Sequence, residues 1–138
     1  TADDTCHVYR MASDHQYRVV YSYGWYLKKF IQDIREKGAY PILLTLTPRN
    51  EWPDGRHIER RNDTYGQWCR IIAQQTSTPL VDIHNITADR LDHLGPERTK
   101  AMYRNDHTHT SKAGALLNAQ SLAKGLKSIR HPLRKYLK

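Results

Sequence analysis

The sequence predicts an α/β protein built on a parallel sheet. Residues 41–47 form a continuous apolar run rather than an alternating one, which is typical of a parallel strand covered on both faces. Residues 79–83 form a second, shorter strand. Around both strands, apolar residues recur at the spacing of one helix face. Strands that alternate with helices in this order indicate a parallel sheet with crossover helices.

Two helices are expected before the second strand. The first starts at Ser22 and stops at Gly38, because glycine suits the left-handed backbone that ends a helix. The second runs from about Asp63 to Gln75. The apolar stripes that define them are Leu27, Phe30, Ile31 and Ile34 in the first, and Tyr65, Trp68, Cys69 and Ile72 in the second.

The rest of the chain is predicted with the same rules. Residues 1–18 are polar without a sustained period and are expected to be a lead-in loop. Thr87 is expected to cap a brief helix that Gly95-Pro96 breaks, and a further short helix runs to Met102. A last helix is expected from Ser111 to about Ile129. The residues on one of its faces are Ala115, Ala119, Leu122, Leu126 and Ile129.

Length and composition suit one domain without a membrane span. The chain has 138 residues, and no apolar run approaches the roughly 20 residues that cross a bilayer. Its formal charge of +8 favours a polyanionic partner such as nucleic acid, anionic lipid or acidic polysaccharide. A solvated basic tail at 130–138 explains part of that charge. Cys6 and Cys69 fit either one disulfide or two thiols.

The densest chemistry lies between Asp106 and His109. The three-residue separation makes one tight turn, short enough for the carboxylate to reach the ring Nδ1–H of His109. A histidine held in this way presents Nε2 as a general base. An acid-oriented base is two thirds of a hydrolytic triad, so a nucleophile has to come from elsewhere.

The sequence around this pair resembles a known family. Residues 106–115, DHTHTSKAGA, look like the last block of SGNH/GDSL hydrolases, and in particular of the rhamnogalacturonan acetylesterase-like branch. Three further segments in register support the resemblance: residues 23–31 (YGWYLKKFI), 46–52 (LTPRNEW) and 65–68 (YGQW). The resemblance implies a three-layer, flavodoxin-like α/β/α fold. It also implies that His109 is the catalytic base and Asp106 its orienting acid, with no metal or organic cofactor.

The chain departs from the family in what it lacks. The family's serine follows Gly-Asp, and its oxyanion donors are a glycine and an asparagine in later blocks, none of which occurs here. The resemblance therefore implies the C-terminal portion of a single SGNH domain over residues 1–138, with N-terminal strands missing. We expect this chain alone to be inactive as an esterase. We also expect strand 41–47 to pair with the missing half or with a second copy, because an unpaired apolar edge invites strand addition.

Substrate-binding residues are expected on the loop after the first parallel strand. Arg49, Asn50 and Trp52 could hold an acidic sugar, with arginine on a carboxylate and tryptophan against a pyranose face. Trp52 could equally pack its own loop down. His107 is a weaker candidate for this role, because solvent exposure or a structural role suits it better. The expected partner is an acetylated acidic polysaccharide, met in a secreted or periplasmic location that the family implies.

Two other functions stay open at this point. A non-catalytic module could use the same basic residues to bind a polyanion, although the aromatic residues are not interleaved with Lys and Arg as nucleic-acid binding requires. A metal-dependent hydrolase could use His107, His109 and Asp106, assisted by Asp82 and His84.

Overall fold

The computed structural model describes residues 1–129 and 131–137. Its strands and helices alternate as the sequence predicts from the first helix onward. In chain order they are β1 (Cys6–Arg10), β2 (Tyr17–Tyr21), α1 (Tyr23–Glu36), β3 (Leu43–Leu44), α2 (Tyr65–Gln75), β4 (Leu80–Val81), α3 (Ile83–Thr99), a 3₁₀ helix (Lys100–Met102), α4 (Lys112–Ser128) and a second 3₁₀ helix (Pro132–Tyr136).

The parallel sheet consists of β3 and β4. Leu43 pairs with Leu80 and Leu44 with Val81, and the N–H of Thr45 extends the pairing to the carbonyl of Val81 at 3.2 Å. The predicted parallel strand is therefore present but shorter than 41–47. Its two faces differ: Leu43 is buried, whereas Leu44 and Leu46 are 42% and 59% exposed. The expectation of cover on both faces is wrong for this chain, since its helices cover β3 on one side.

Two hydrophobic clusters stabilise the fold. One joins α1, α2 and β3, and the other joins α3, α4 and the loops beside them. The buried members of the first are Ala2, Ile31, Leu43, Cys69, Ile72 and Ala73. Those of the second are Ile58, Ala88, Leu91, Tyr103 and Leu117. Cys69 is thus a buried free thiol and Cys6 an exposed one, and they form no disulfide.

Helix α1 follows its predicted boundaries closely. Ser22 caps it by accepting from the N–H of Trp25 at 3.1 Å, and Gly38 follows its end with φ 72°. Only part of its apolar stripe is buried, because Ile31 is 2% exposed while Phe30 is 61% exposed. Gly24 is required at its start, since a Cβ there would lie 2.2 Å from the carbonyl oxygen of Ala2.

The predicted lead-in loop at 1–18 is wrong. Strands β1 and β2 form an antiparallel hairpin in which Cys6 pairs with Tyr21 and Arg10 with Tyr17. Every residue of both strands is exposed, so no buried face imposes a period on the sequence. The β-branched and aromatic residues of both strands, Val8 and Tyr9 in β1 and most of residues 17–21 in β2, are what the sequence offers for the hairpin.

The start of α3 also differs from the prediction. The helix begins at Ile83, and Asp82 caps it by accepting from the N–H of Asn85 at 3.3 Å. Thr87, the predicted cap, is instead 1% exposed inside the helix. The predicted break is present, because Gly95 has φ 77° and ψ 165°, and the helix ends at Thr99 before the 3₁₀ turn to Met102.

Helix α4 starts where the sequence predicts, with Ser111 accepting from the N–H of Gly114 at 3.3 Å. Its buried residues are Gly114, Leu117, Ser121 and Gly125, whereas Ala115 and Ala119 of the expected face are exposed. Glycine allows this face to approach its neighbours, since a Cβ at Gly114 would lie 2.0 Å from the carbonyl oxygen of Met102.

The basic tail is described in part. Arg134 and Lys135 are exposed on the last 3₁₀ helix, while Arg130 and Lys138 lie outside the described residues. Within the described ranges, no helix combines the length and the hydropathy that crossing a bilayer needs.

Candidate active site

Asp106 and His109 make the contact that their spacing predicts. Oδ2 of Asp106 lies 2.8 Å from Nδ1 of His109, and Oδ1 accepts from the backbone N–H groups of Thr108 and His109 at 2.7 Å each. A carboxylate can only accept here, so Nδ1 carries the proton and Nε2 of the neutral ring is left as an acceptor. The His109 side chain is 75% exposed, which leaves Nε2 open to a reacting group.

The carboxylate of this pair is held ionised. The backbone N–H groups of His109 and Thr108, followed by the His109 ring, lower the pKa of Asp106 well below that of an ordinary aspartate. Hydrogen bonds to the charged form always act in this direction. Asp106 therefore serves as a permanent acceptor that sets the tautomer and orientation of the imidazole.

The loop that carries the pair, residues 103–110, is closed at its base. We call it the dyad loop. Tyr103 and Thr110 form an antiparallel bridge, and the N–H of Arg104 donates to the carbonyl of His109 at 2.9 Å. Ser111 then anchors the loop to the preceding 3₁₀ helix, because its hydroxyl donates to the carbonyl of Ala101 at 2.7 Å.

A second loop, residues 45–64 after β3, holds the dyad loop from the side. We call it the β3 loop. Tyr103 donates from its hydroxyl to the carbonyl of Pro48 at 2.9 Å, and the N–H of Asn50 donates to the carbonyl of His107 at 2.8 Å. The side chain of His107 lies 3.3 Å from Glu51. Burial raises the pKa of Tyr103 to about 12, so its hydroxyl remains a donor at neutral pH.

The predicted binding residues occupy different places. Trp52 is half-buried against the cluster that contains Ile58, and its Nε1–H donates to Oδ1 of Asn50 at 2.8 Å. Arg49 is exposed and lines a cleft at the end of β3. His107 is half-exposed, and its ring is directed at Glu51. The structure thus gives Trp52 and Asn50 a local packing role, and the binding role of all four residues stays a prediction.

The same Asp–His geometry occurs a second time. Asp54 accepts from the N–H groups of Arg56 and His57 at 2.9 and 2.7 Å, and its other oxygen lies 2.7 Å from Nδ1 of His57. These hydrogen bonds lower the pKa of Asp54 as they do for Asp106. The geometry is therefore a local property of Asp-x-x-His turns. The sequence around Asp106 and His109 distinguishes them, because that sequence resembles the family. Asp54 and His57 were not predicted from the sequence.

Asp82 and His84 form hydrogen bonds with neighbouring groups of the protein. Burial alone would raise the pKa of Asp82, but hydrogen bonds from Arg70, Asn85 and Thr45 outweigh it and lower that pKa. His84 is 6% exposed. Across residues 1–129 and 131–137, no group of three or more His, Cys, Asp or Glu side chains is placed to hold a metal ion.

Several known proteins resemble this chain in sequence. No protein-family model matches the chain. Over 126 residues it is 26% identical to rhamnogalacturonan acetylesterase RhgT of Bacillus subtilis, which covers 81% of this chain and 54% of RhgT. It is 29% identical over 125 residues to rhamnogalacturonan acetylesterase of Emericella nidulans, and this match covers 90% of this chain and 49% of that protein. It is 31% identical over 120 residues to the probable rhamnogalacturonan acetylesterase YesY of B. subtilis, and this match covers 81% of this chain and 54% of YesY.

Solved structures share the fold. Protein YxiM of B. subtilis superimposes with a TM-score of 0.67 at 29% identity, over 73% of this chain and 29% of that one. Axe2, an acetyl-xylooligosaccharide esterase from Geobacillus, matches with a TM-score of 0.53 at 23% identity. The match covers 72% of this chain and 43% of the Axe2 chain. The second likeness concerns the fold alone.

The sequence matches and the shared fold thus define an α/β chain of the SGNH hydrolase class. Within that class, the chain belongs to the rhamnogalacturonan acetylesterase-like branch, as the sequence resemblance predicted. The chain spans about half the length of the curated relatives that it matches.

Proposed function

We propose that Asp106 and His109 are the acid and base of a serine ester hydrolase that removes acetyl groups from an acidic plant polysaccharide such as rhamnogalacturonan. The observation that carries the proposal is the 2.8 Å contact between Asp106 and Nδ1 of an exposed His109, in a chain related to rhamnogalacturonan acetylesterases. Rhamnogalacturonan appears in the names of those relatives, and we extend it to this chain as part of the proposal. Action on such a polymer goes with a secreted or periplasmic location, which is part of the proposal.

In the complete domain, a serine from another stretch of polypeptide would face Nε2 of His109. That nitrogen takes the serine proton while the serine oxygen attacks the acetyl carbonyl, and backbone and asparagine N–H groups stabilise the oxyanion. The sugar hydroxyl leaves with the proton from His109, and an acetyl-enzyme remains. His109 then deprotonates a water that attacks the acetyl carbon, the bond to the serine oxygen breaks, and His109 returns the proton to that oxygen as acetate leaves. Asp106 stays ionised throughout and holds the ring.

This chain would not complete that reaction alone. No serine in it follows Gly-Asp. Ser111, the nearest to the pair in sequence, donates to Ala101 and accepts from the N–H of Gly114, so its hydroxyl is committed to the helix cap. The chain therefore supplies the acid and base of a triad whose nucleophile and oxyanion donors lie elsewhere.

The free edge of β3 is the proposed site of assembly. β3 pairs with β4 along one edge, and no other strand among residues 1–129 and 131–137 pairs with its second edge. Leu44 and the following Leu46 add exposed apolar surface beside that edge. An exposed apolar edge strand is a template for pairing with another chain. We propose that the missing N-terminal half, or a second copy of this chain, pairs there.

Complementation tests the proposal. The chain is purified alone and together with a polypeptide that carries the Gly-Asp-Ser strand–turn and the oxyanion blocks of a relative such as RhgT. Hydrolysis of an aryl acetate is measured for the chain, the companion and the mixture. We expect turnover in the mixture alone. Equal activity of the chain with and without its companion would contradict the proposal.

A non-catalytic polyanion-binding module is the second candidate, favoured by the formal charge of +8 and by the exposed Arg49. Binding of acidic oligosaccharides by the complemented protein without acetate release would support it. A metal-dependent hydrolase has less support, because His107 is directed at Glu51 and does not converge with His109 on a common point.

A further inference from the structure

The tip of the dyad loop has no packing of its own. Residues 104–109 are all exposed, so no buried side chain among them fixes their position relative to the rest of the fold. The contact with Asp106 orients the His109 ring within the loop, but it does not determine where the loop lies. Contacts from outside the loop have to supply that part of the geometry.

A backbone hydrogen bond from the β3 loop reaches this tip. The N–H of Asn50 donates to the carbonyl of His107 at 2.8 Å, two positions before His109. A second contact joins Glu51 to the His107 ring at 3.3 Å, and it becomes an ion pair only when that ring is protonated. The Asn50 bond does not depend on protonation, so it holds the tip at any pH at which the chain is folded.

The side chain of Asn50 is held by Trp52. The indole Nε1–H of Trp52 donates to Oδ1 of Asn50 at 2.8 Å. An indole N–H only donates and the amide nitrogen of asparagine does not accept, so this bond also fixes the direction of the Asn50 amide group. Both side chains are partly buried, and a hydrogen bond is stronger where water is excluded. The bond therefore restrains the residue whose backbone N–H contacts the tip.

Trp52 is in turn packed on the core. The cluster that it contacts includes Tyr103, which begins the dyad loop; the buried members are Ile58, Ala88, Leu91, Tyr103 and Leu117. A continuous path thus leads from the core through Trp52 and Asn50 to the carbonyl of His107.

We propose that Trp52 and Asn50 are positioning residues for the catalytic base, because their two hydrogen bonds in series hold the carbonyl of His107 and, with it, the His109 ring. This inference rests on the proposed function, since it assigns both residues to the same reaction. It differs from a sugar-binding role for them. A positioning residue changes kcat on any substrate, whereas a sugar-binding residue matters only for a substrate that carries the sugar.

Trp52→Phe in the complemented domain separates the two roles. Phenylalanine keeps an aromatic ring in the cluster but has no N–H donor. With an aryl acetate, which has no sugar to bind, we expect kcat to fall about tenfold and KM to stay near wild type, because a displaced base loses rate. An unchanged kcat would overturn the proposal.

Trp68→Phe is the matched control. Trp68 is partly buried against the other hydrophobic cluster, and its indole N–H has no hydrogen-bond partner among residues 1–129 and 131–137. The same truncation there should leave kcat near wild type. Equal losses of kcat in Trp52→Phe and Trp68→Phe would overturn the proposal, because the lost N–H would then not be the cause.

Variants of Asn50 test the link between the two hydrogen bonds. Asn50→Ala removes the acceptor and should also lower kcat about tenfold. Asn50→Asp keeps an acceptor for the indole N–H and should retain most of kcat on its pH plateau. Because the residues act in series, Asn50→Ala/Trp52→Phe should lose no more than Asn50→Ala alone. Additive losses, or an Asn50→Asp variant as slow as Asn50→Ala, would overturn the series.

A measurement on the full chain without its companion keeps this inference separate from the esterase proposal. In Trp52→Phe, the amide proton of Asn50 should exchange with solvent about tenfold faster, and the amide signals of Thr108 and His109 should shift, whereas Trp68→Phe should leave both unchanged. Unchanged amides in Trp52→Phe would overturn the inference whatever the activity. The expected amide changes, without acetate release by the complemented wild type, would contradict the esterase proposal and leave the path from Trp52 to His107 intact.

Discussion

The hydroxyl of Tyr103 donates a 2.9 Å hydrogen bond to the carbonyl of Pro48, which lies 55 positions earlier in the chain. Tyr103 is 6% exposed, and Pro48 is also fully buried. The bond joins the base of the dyad loop to the β3 loop. The orientation of Asp106 and His109 therefore depends on a contact between distant parts of the chain as well as on their own turn.

Removing that bond should destabilise the protein. Tyr103→Phe leaves the buried Pro48 carbonyl without its donor, and we expect a loss of about 1–3 kcal/mol in the free energy of unfolding. Urea denaturation measures it. Tyr40→Phe is the matched control, because the Tyr40 side chain is 84% exposed, and it should change stability by less than about 0.5 kcal/mol. Equal effects of the two variants would argue against the anchoring role of Tyr103.

The tautomer of His109 should depend on Asp106. With the carboxylate in place, Nδ1 carries the proton. In Asp106→Ala, the ring should shift toward the Nε2–H tautomer that free histidine prefers, as seen in ¹⁵N ring shifts. Asp54→Ala should alter His57 in the same way and leave His109 unchanged. A His109 ring that keeps its tautomer in Asp106→Ala would mean that the carboxylate does not set it.

Stability in acid should reflect both Asp–His turns. The pKa values of Asp54 and Asp106 are lowered in the folded state, so each carboxylate contributes stability that is complete above the ordinary aspartate pKa of about 3.9. That contribution is lost as the pH falls through the depressed folded value. The unfolding free energy of the double variant Asp54→Asn/Asp106→Asn should therefore fall less steeply with decreasing pH than that of the wild type below about pH 4. Parallel curves for the two proteins would contradict this expectation.

Gly114 should tolerate no side chain. An alanine Cβ would lie 2.0 Å from the carbonyl oxygen of Met102, which is backbone and cannot move away cheaply. We expect Gly114→Ala to destabilise the protein by roughly 1–3 kcal/mol in urea denaturation, although alanine favours helices. Ala119→Ser, on the exposed side of the same helix, should have a small effect. Stabilisation by Gly114→Ala would show that α4 can move away from Met102.

The edge of β3 should govern self-association. Leu46→Lys places a charge at the proposed pairing surface, and charges on edge strands disfavour strand addition. We expect it to lower any concentration-dependent mass seen in light scattering of the chain alone. Leu116→Lys is the control, since Leu116 is 60% exposed on α4 and Leu46 is 59% exposed two residues after β3. A wild-type chain that stays monomeric at all concentrations, with protected amides along β3, would contradict pairing at this edge.

Local chemistry explains which parts of the fold could be predicted. Gly38, Gln75 and Gly95 mark helix boundaries because glycine and helix periodicity act within a few residues. The contact between Asp106 and His109 is likewise confined to one turn. The hairpin of β1 and β2 was missed because all of its residues face solvent, so burial leaves no pattern in them.

Tertiary contacts explain the rest. Thr87 is a residue type that often caps helices, but it is buried inside α3. Asp82 is the N-cap instead, and hydrogen bonds with Arg70 and Thr45 hold it in that position. The buried face of α4 follows Gly114 and Gly125, where backbone and Val81 approach, rather than its most apolar residues. No local rule links Tyr103 to Pro48, which lies 55 positions earlier.

The most direct test of the central claim compares His109→Ala with His57→Ala in the complemented domain. Both histidines sit on Asp-x-x-His turns with the same hydrogen bonds, so folding and surface effects are matched. If His109 is the catalytic base, kcat for aryl acetate hydrolysis should fall by at least about 100-fold in His109→Ala and stay near wild type in His57→Ala. Full turnover by His109→Ala, or equal losses in both variants, would contradict the account.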